Sequence, residues 1–261
     1  MNLMDLSYLM AGIRPTSIID LLEVSESYAA STKIVDIEAE DWHKDIKWKP
    51  VMKIKASTYP KRSLFDVIPV CVGNISFESR SKSGEFGYAE LIFPEGESAP
   101  IFSGSKRGRV SFDDVITFPA LYQRGLGTHT PWMSLTPMEL LSLRIGTKLA
   151  KGHTIVAGLG LGHQLIEVSQ RKEVDRITLI ECSRELVEWI LPRIVPFISK
   201  PIDVVVGDVF VELPKLTADV ALIDIYPRYG NNGAAHRRLV RNSPNVKKMW
   251  SWGAVKIGSM W

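Results

Sequence analysis

Cysteine is scarce in this chain, and the residues that usually hold metal ions are thinly spread. Of 261 residues, two are cysteine (Cys71 and Cys182) and five are histidine, without metal-ligand spacing. Two distant cysteines form no disulfide framework, which fits a reducing cytoplasm, and we expect a buried free thiol at Cys182. The sequence therefore argues against a disulfide-stabilised scaffold and against a zinc module.

Long apolar runs and strong charge are also missing. No run approaches the ~18 apolar residues of a membrane helix, and the N-terminus lacks the basic segment of a secretory signal. A net charge of +3 does not by itself indicate a nucleic-acid partner. We predict a cytoplasmic protein of one or two domains, with no membrane partner and no clear nucleic-acid signal.

The residue pattern of the N-terminal part of the chain changes after an initial segment that predicts helix. Residues 1–32 predict helix, including a second helix over residues 17–30. Short β-rich runs then alternate with Gly, Ser, Pro and charged residues up to residue 118. The clearest predicted strands are 51–56, 67–72, 86–93 and 110–118, with hairpin loops at 79–84 and 103–109. We predict a β-rich substrate or accessory domain over residues 1–125, built as a small antiparallel sheet or barrel.

A glycine turn forms the centre of the C-terminal part. A short apolar run at 154–157 predicts a strand, Gly158, Gly160 and Gly162 follow, and residues 164–170 predict a helix. In this context a GxGxG pattern indicates nucleoside binding. Dinucleotide-binding proteins favour GxGxxG, but His163 occupies their third glycine position here.

Three later predicted strands end in carboxylates. Glu181 lies roughly 20 residues past the first glycine, where an acid accepts hydrogen bonds from ribose hydroxyls. Asp208 follows the next strand, although Gly207-Asp208 also fits a simple turn, and Asp224 ends the fourth. Ligands of open α/β sheets bind outside the carboxyl ends of the strands, so a nucleoside-binding crevice is predicted there.

This combination resembles the class I S-adenosylmethionine-dependent methyltransferases, and within them the spermidine synthase-like branch. The resemblance covers roughly residues 130–227. It implies an α/β fold with a Rossmann-like parallel sheet, strand order 3-2-1-4-5, and S-adenosylmethionine as cofactor. It also implies that the three turn glycines approach the methionine part, that Glu181 takes the ribose hydroxyls, and that Asp208 takes the adenine amino group.

Two departures separate the chain from the synthases. Leu161 replaces the Asp of their glycine loop, and Asp224-Ile225-Tyr226-Pro227 lacks the second acid of their active-site turn. We therefore predict methyl transfer to a small-molecule or protein acceptor. Asp224 is the candidate for orienting or deprotonating the nucleophile, and Tyr226 the candidate for lining the pocket. An aminopropyltransferase-like polyamine enzyme and a non-catalytic nucleoside sensor are the alternatives.

Thr136 is the remaining candidate ligand of the cofactor. With Pro137 and Glu139 it forms a capping box that predicts a helix ending at about Lys151, before Gly152. The resemblance would place this helix beside the cofactor, where Thr136 either contacts the methionyl carboxylate or only caps its helix.

The end of the chain predicts an exposed sheet edge. A basic helix over residues 234–241 precedes a fifth strand over 246–252, so a class I domain over 126–261 is expected to stop after strand five. An open edge needs covering, and Trp250, Trp252, Met260 and Trp261 make this end aromatic and apolar. We expect a homodimer through this strand, or cover from the N-terminal domain.

Overall fold

The computed structural model describes residues 30–35, 51–60, 63–71, 79–103, 106–125, 131–226 and 232–254. The predicted helices before residue 30 and the tail that contains Met260 and Trp261 lie outside these ranges. The described residues form two units, one up to residue 79 plus 88–138, the other 80–87 plus those from 139 onward. The sequence had placed this boundary after residue 125.

The strands up to residue 134 lie mainly in the first unit, although residue 80 and residues 86–87 belong to the second. They are β1 Ala30–Val35, β2 Val51–Ile54, β3 Val70–Cys71, β4 Ser79–Arg80, β5 Phe86–Phe93, β6 Ser98–Ser103, β7 Lys106–Phe112, β8 Ile116–Gln123 and β9 Met133–Ser134. One sheet has the order β1-β2-β7-β6 and the other β3-β5-β8-β9, with β4 paired to β5. Since β2 pairs in parallel and β6 pairs antiparallel with β7, the purely antiparallel pairing predicted here for a small sheet or barrel is wrong.

Two local predictions in this unit are also corrected. Residues 30–32 belong to β1 rather than to a helix. The run 110–118 is divided between β7 and β8, because the chain turns at Asp113. The carboxylate of Asp113 accepts a hydrogen bond from the Ala56 amide at 2.6 Å, and its amide donates to the Ile54 carbonyl at 3.1 Å. Long-range hydrogen bonds therefore hold the turn that follows β7.

The second unit is a parallel sheet flanked by helices, which confirms the predicted α/β class. Its strands are β10 Gly152–Ala157, β11 Val174–Glu181, β12 Ile202–Val206, β13 Ala218–Ile223 and β14 Val246–Ser251. All pair in parallel in the order β12-β11-β10-β13-β14, which is the third, second, first, fourth and fifth strand of the unit. Its helices are α1 Pro137–Thr147, α2 His163–Ser169, α3 Arg184–Ile194, α4 Val209–Glu212 and α5 Gly233–Asn242.

Local sequence explains why these elements form. Residues 154–157 of β10 are all buried, as expected for a central parallel strand with both faces covered. In α3 the Ser183 hydroxyl caps the helix by accepting from the Leu186 amide at 3.1 Å. Leu186, Ile190 and Ile194 then recur every four residues and form the buried stripe of this helix.

Trp250 packs against α1 at Gly146. A Cβ atom added to Gly146 would lie 2.4 Å from the indole ring of Trp250, whose side chain is buried. The Trp252 indole N–H also donates to the Ser142 hydroxyl of α1 at 2.8 Å. Both tryptophans thus have partners within the chain, and the homodimer through β14 stays a prediction.

A Gly146→Ala variant is expected to be less stable, although alanine is the better helix former. Helix propensity favours alanine by about 1 kcal/mol, whereas overpacking against a buried indole costs about 1–3 kcal/mol. Urea unfolding of the single variant, of Trp250→Leu and of the double variant measures the coupling. Additive effects of the two substitutions would contradict this packing.

None of the helices in the described ranges is long and apolar enough to cross a membrane. The same ranges contain no group of three or more His, Cys, Asp or Glu side chains that could hold a metal ion. Cys71 and Cys182 are free thiols and both are exposed, so the prediction of a buried Cys182 is wrong. Partial burial and the adjacent Glu181 carboxylate raise the pKa of Cys182 to about 11, so its thiolate form is disfavoured.

Candidate functional site

The carboxyl ends of the parallel strands meet at one edge of the second unit. Beyond the regular ladder, the amides of Gly158, Asp224 and Gly207 donate to carbonyls of adjacent strands at 2.9, 2.8 and 2.9 Å. The Gly207 amide donates to the carbonyl of Glu181. These bonds bring the glycine turn, Glu181 and Asp224 together, as expected from three neighbouring parallel strands.

Each glycine of the turn has a positive φ angle. The φ angles of Gly158, Gly160 and Gly162 are 97°, 48° and 76°. A Cβ atom on Gly158 would lie 1.9 Å from the Asp224 carbonyl oxygen, so the turn and the end of β13 fit closely only with glycine there. Gly158 and Gly160 are half-buried and leave backbone accessible to a ligand.

Gly162 packs against α3. It is buried, and a Cβ atom there would lie 2.3 Å from the Cδ1 atom of Ile194 in α3. Its carbonyl accepts from the Ile166 amide at 3.0 Å at the beginning of α2. Gly162 therefore allows α2 and α3 to pack, and its approach to the methionine part of the cofactor stays a prediction.

Glu181 binds the glycine turn directly. Its side chain is 7% exposed, and its Oε2 atom accepts from the Leu159 amide at 2.8 Å. The Oε1 atom accepts from the Ser183 amide at 2.9 Å and contacts the Cys182 thiol at 3.4 Å. Because a carboxylate has about four acceptor positions, Glu181 fixes the turn and retains capacity for one further donor.

Asp208 caps a short helix at the end of β12. Its Oδ1 atom accepts from the Phe210 amide at 2.8 Å. Asp208 therefore has the local structural role that the turn interpretation of Gly207-Asp208 predicts. The side chain is exposed, which leaves the second carboxylate oxygen accessible. The guanidinium of Arg238 in α5 lies 4.9 Å from the centre of the Phe210 ring, within the range of a cation–π contact.

Asp224 and Tyr226 lie just past β13. Burial raises the pKa of Asp224 to about 7, so its carboxyl group titrates near neutral pH. Burial also raises the pKa of Tyr226, and the nearby Asp224 raises it further. A hydrogen bond with the Ser251 side chain acts in the opposite direction and lowers the pKa of Tyr226.

Thr136 is buried directly before α1, in the first unit. The proposed contact between its side chain and the methionyl carboxylate stays a prediction.

Sequence reasoning missed a polar pair beside Asp224. Ser251 ends β14, opposite Ile223 in the parallel register, and its side chain is 2% exposed. Its Oγ atom lies 2.9 Å from the Nδ1 atom of His236 in α5. Burial and the adjacent Arg237 lower the pKa of His236, so this imidazole is neutral at pH 7. No sequence spacing signals a contact between a helix and a strand that are joined by a turn.

Comparison with known proteins found a match neither among family models nor among curated proteins. Solved structures do show similarity. A methyltransferase from Geobacter sulfurreducens is 16% identical, with 48% of this chain and 63% of that chain covered and a TM-score of 0.35. A precorrin-6y C5,15-methyltransferase from Geobacter metallireducens is 16% identical, with coverages of 48% and 61% and a TM-score of 0.33.

A precorrin 8W decarboxylase from Methanobacterium thermoautotrophicum is also similar. It is 20% identical, with 43% of this chain and 59% of that chain covered and a TM-score of 0.33. This chain therefore covers less than two thirds of the length of each of the three structures.

Proposed function

We propose that the second unit binds S-adenosylmethionine and transfers its methyl group to a small-molecule or protein acceptor. The observation that carries the proposal is the position of the glycine turn between the buried carboxylate of Glu181 and the backbone of Asp224. One side of the turn thus offers an acceptor for a nucleoside, and the other offers a group that can take a proton. The closer resemblance to the spermidine synthase-like branch remains a prediction from the sequence.

The residues present fit the nucleoside part of the cofactor. Glu181 is preorganised by two backbone amides and keeps one acceptor position for a ribose hydroxyl. Asp208 uses one oxygen as a helix cap and keeps the other for the adenine amino group. Gly158 and Gly160 supply half-buried backbone beside these acids, where the methionine part would lie.

The chemistry then requires little from the protein beyond alignment and one base. When bound, S-adenosylmethionine supplies a sulfonium methyl group: the bond from the acceptor atom to the methyl carbon forms as the carbon–sulfur bond breaks, and the electron pair of that bond stays on sulfur. Asp224, with its pKa of about 7, is partly ionised at neutral pH and takes the proton that the acceptor atom loses. Most of the remaining rate acceleration comes from holding the acceptor atom in line with the methyl group.

Calorimetry with S-adenosylmethionine, its decarboxylated form and NAD tests the cofactor assignment. We expect the first to bind and the other two to bind more weakly. Preference for the decarboxylated form would indicate aminopropyl transfer, and preference for NAD would indicate a dinucleotide site. A panel of amines, hydroxy compounds and peptides, followed by detection of S-adenosylhomocysteine, then tests turnover. Tight binding without turnover on any acceptor would favour the nucleoside sensor.

Glu181→Gln is expected to lower the affinity for S-adenosylmethionine at least tenfold. The substitution removes the charge from hydrogen bonds worth about 1.5–3 kcal/mol each, and its amide N–H₂ would face the backbone donors that hold the turn. Glu185→Gln is the matched control, because this carboxylate of α3 binds Ser83 at 2.5 and 2.6 Å rather than the turn. An unchanged dissociation constant in a folded Glu181→Gln protein would refute the ribose assignment.

A further inference from the structure

The edge strand β12 is the least covered strand of the parallel sheet. None of its five residues is buried, whereas residues 154–157 of the central strand β10 all are. Its side chains are apolar except for Asp203, and Val204 is 39% exposed. Parallel strands are normally covered on both faces, and an open strand edge readily pairs with another chain. β12 therefore has the features of a surface that binds a partner.

The connection from α3 to β12 adds to this apolar surface. Val195 and Phe197 are each 48% exposed. Together with Val204, they are three of the seven large hydrophobic side chains that are exposed in the described ranges. Single exposed apolar residues are ordinary, whereas several beside an open strand edge indicate an interaction surface.

The hydrogen bonds of β12 show which of its backbone groups face outwards. At the two ends of the strand, the Pro201 carbonyl and the Gly207 amide each bond to β11 at 2.9 Å. Since the backbone groups of successive residues alternate between the two sides of a strand, the odd-numbered residues face β11. The N–H and C=O groups of Ile202, Val204 and Val206 therefore point away from the sheet. No strand of the described ranges pairs with that edge.

We propose that β12 pairs antiparallel with β12 of a second copy of this chain, centred on Val204, so that the sheet continues through both copies. A two-fold axis at Val204 brings the outward-facing residues opposite one another, with Ile202 opposite Val206 of the second copy. These residues form the hydrogen-bonded pairs of an antiparallel ladder, so the free backbone groups on both edges gain partners. The dimer uses the opposite edge of the sheet from the homodimer that the sequence predicts.

Charge selects this register among those that the outward-facing residues allow. Centring on Val204 places Lys200 opposite Asp208 of the second copy, at both ends of the paired strands, and the backbone of Asp208 is extended. Moving the axis to either neighbouring outward-facing residue would separate these opposite charges. Asp203 lies opposite Val205 of the second copy, so no like charges directly face each other. This self-complementarity fits a second copy better than an unrelated strand.

The other edge of the sheet is less suited to such pairing. β14 carries Lys247 and Lys248, and both are exposed. Lysines on an edge strand are a common device against strand pairing, because pairing would bring their charges together. β12 has no lysine within its bounds. Of the two edges of this sheet, β12 is therefore the one that a second copy can join.

The first test is the mass of the full chain in solution. Size-exclusion chromatography with light scattering between about 1 and 100 μM should show a dimer. Val204→Lys places two like charges at the axis and should raise the dissociation constant of the dimer about tenfold or more. Val240→Lys is the matched control, because this valine of α5 is 48% exposed and lies outside β12. A wild-type monomer throughout this range would leave the edge to another protein and overturn the inference, as would a dimer unaffected by Val204→Lys.

The second test is a cross-link that reports the register. Directly opposite residues of a hydrogen-bonded pair have Cα atoms about 5.5 Å apart, within disulfide range. In a chain carrying Cys71→Ser and Cys182→Ser, Val204→Cys should therefore form a covalent dimer when diamide oxidises the two thiols. Ile202→Cys and Val206→Cys should cross-link when mixed but not alone, because identical positions then lie about 14 Å apart along the strand. Equally fast cross-linking of Ile202→Cys alone and Val204→Cys would overturn the register.

Discussion

A Gly158→Ala variant is expected to lose most of the stability of the second unit. The φ angle of 97° lies outside the left-handed region that side chains tolerate, and the added methyl group would lie 1.9 Å from the Asp224 carbonyl oxygen. Backbone strain of this kind costs about 1–3 kcal/mol, and the steric conflict adds about 1–3 kcal/mol more. Asp224 directly follows β13, which pairs with the central strand β10. Relief of the conflict therefore requires the ends of these two core strands to separate.

The measurement is urea unfolding followed by circular dichroism. Gly160→Asn is the matched control in the same turn, because a φ of 48° lies in the region that asparagine adopts at little cost. We expect the control to retain most of its stability. Equal stability of Gly158→Ala and the wild-type protein would show that the turn does not approach Asp224 in solution.

The second large effect is expected from Asp224→Asn. If Asp224 removes the acceptor proton, its loss lowers turnover by about 10²–10⁴, the usual range for a general base. Affinity for S-adenosylmethionine should stay within a few-fold, because the Asp224 amide still donates to the Ala157 carbonyl. Turnover of the wild-type protein should rise with pH through about 7, as Asp224 loses its proton, and the variant should lack this limb. Turnover within twofold of wild type would exclude Asp224 as the base.

The same residue predicts how stability depends on pH. The pKa of Asp224 is about 7 in the folded protein and about 3.9 in an unfolded chain, so the folded state binds an additional proton between these values. Its contribution to stability is therefore fully present below pH 4 and is lost as the pH rises through 7. The stability of Asp224→Asn relative to wild type should therefore be higher at pH 8 than at pH 5. Thermal unfolding of both proteins at the two pH values measures this difference.

Sequence patterns sufficed for most of the second unit because its strands are short apolar runs with clear ends. The run at 154–157 became β10, and the acids predicted at strand ends lie at or next to the ends of β11, β12 and β13. Parallel strands that are buried on both faces need continuous apolar residues, and this requirement is local.

The sequence predicted the first unit less well, because its strands are not short apolar runs with clear ends. β6 includes Pro100 and β7 includes charged residues, so neither shows a clear alternating pattern. Their pairing joins β2, β6 and β7 in one mixed sheet through contacts between distant residues. Strand propensity depends on such neighbours. The sequence therefore indicated that β structure is present here, and it did not indicate how the strands pair.

For the site, the sequence by itself determined the glycine turn and the acids at the strand ends, because residue type and spacing are enough to place them on one sheet edge. Only the tertiary structure decided what these groups contact. Leu159 donates to Glu181, burial moves the pKa of Asp224 to about 7, and Ser251 meets His236 across the gap between β14 and α5. Burial and hydrogen bonding between elements depend on how helices and strands pack, and no spacing along the chain encodes that packing directly.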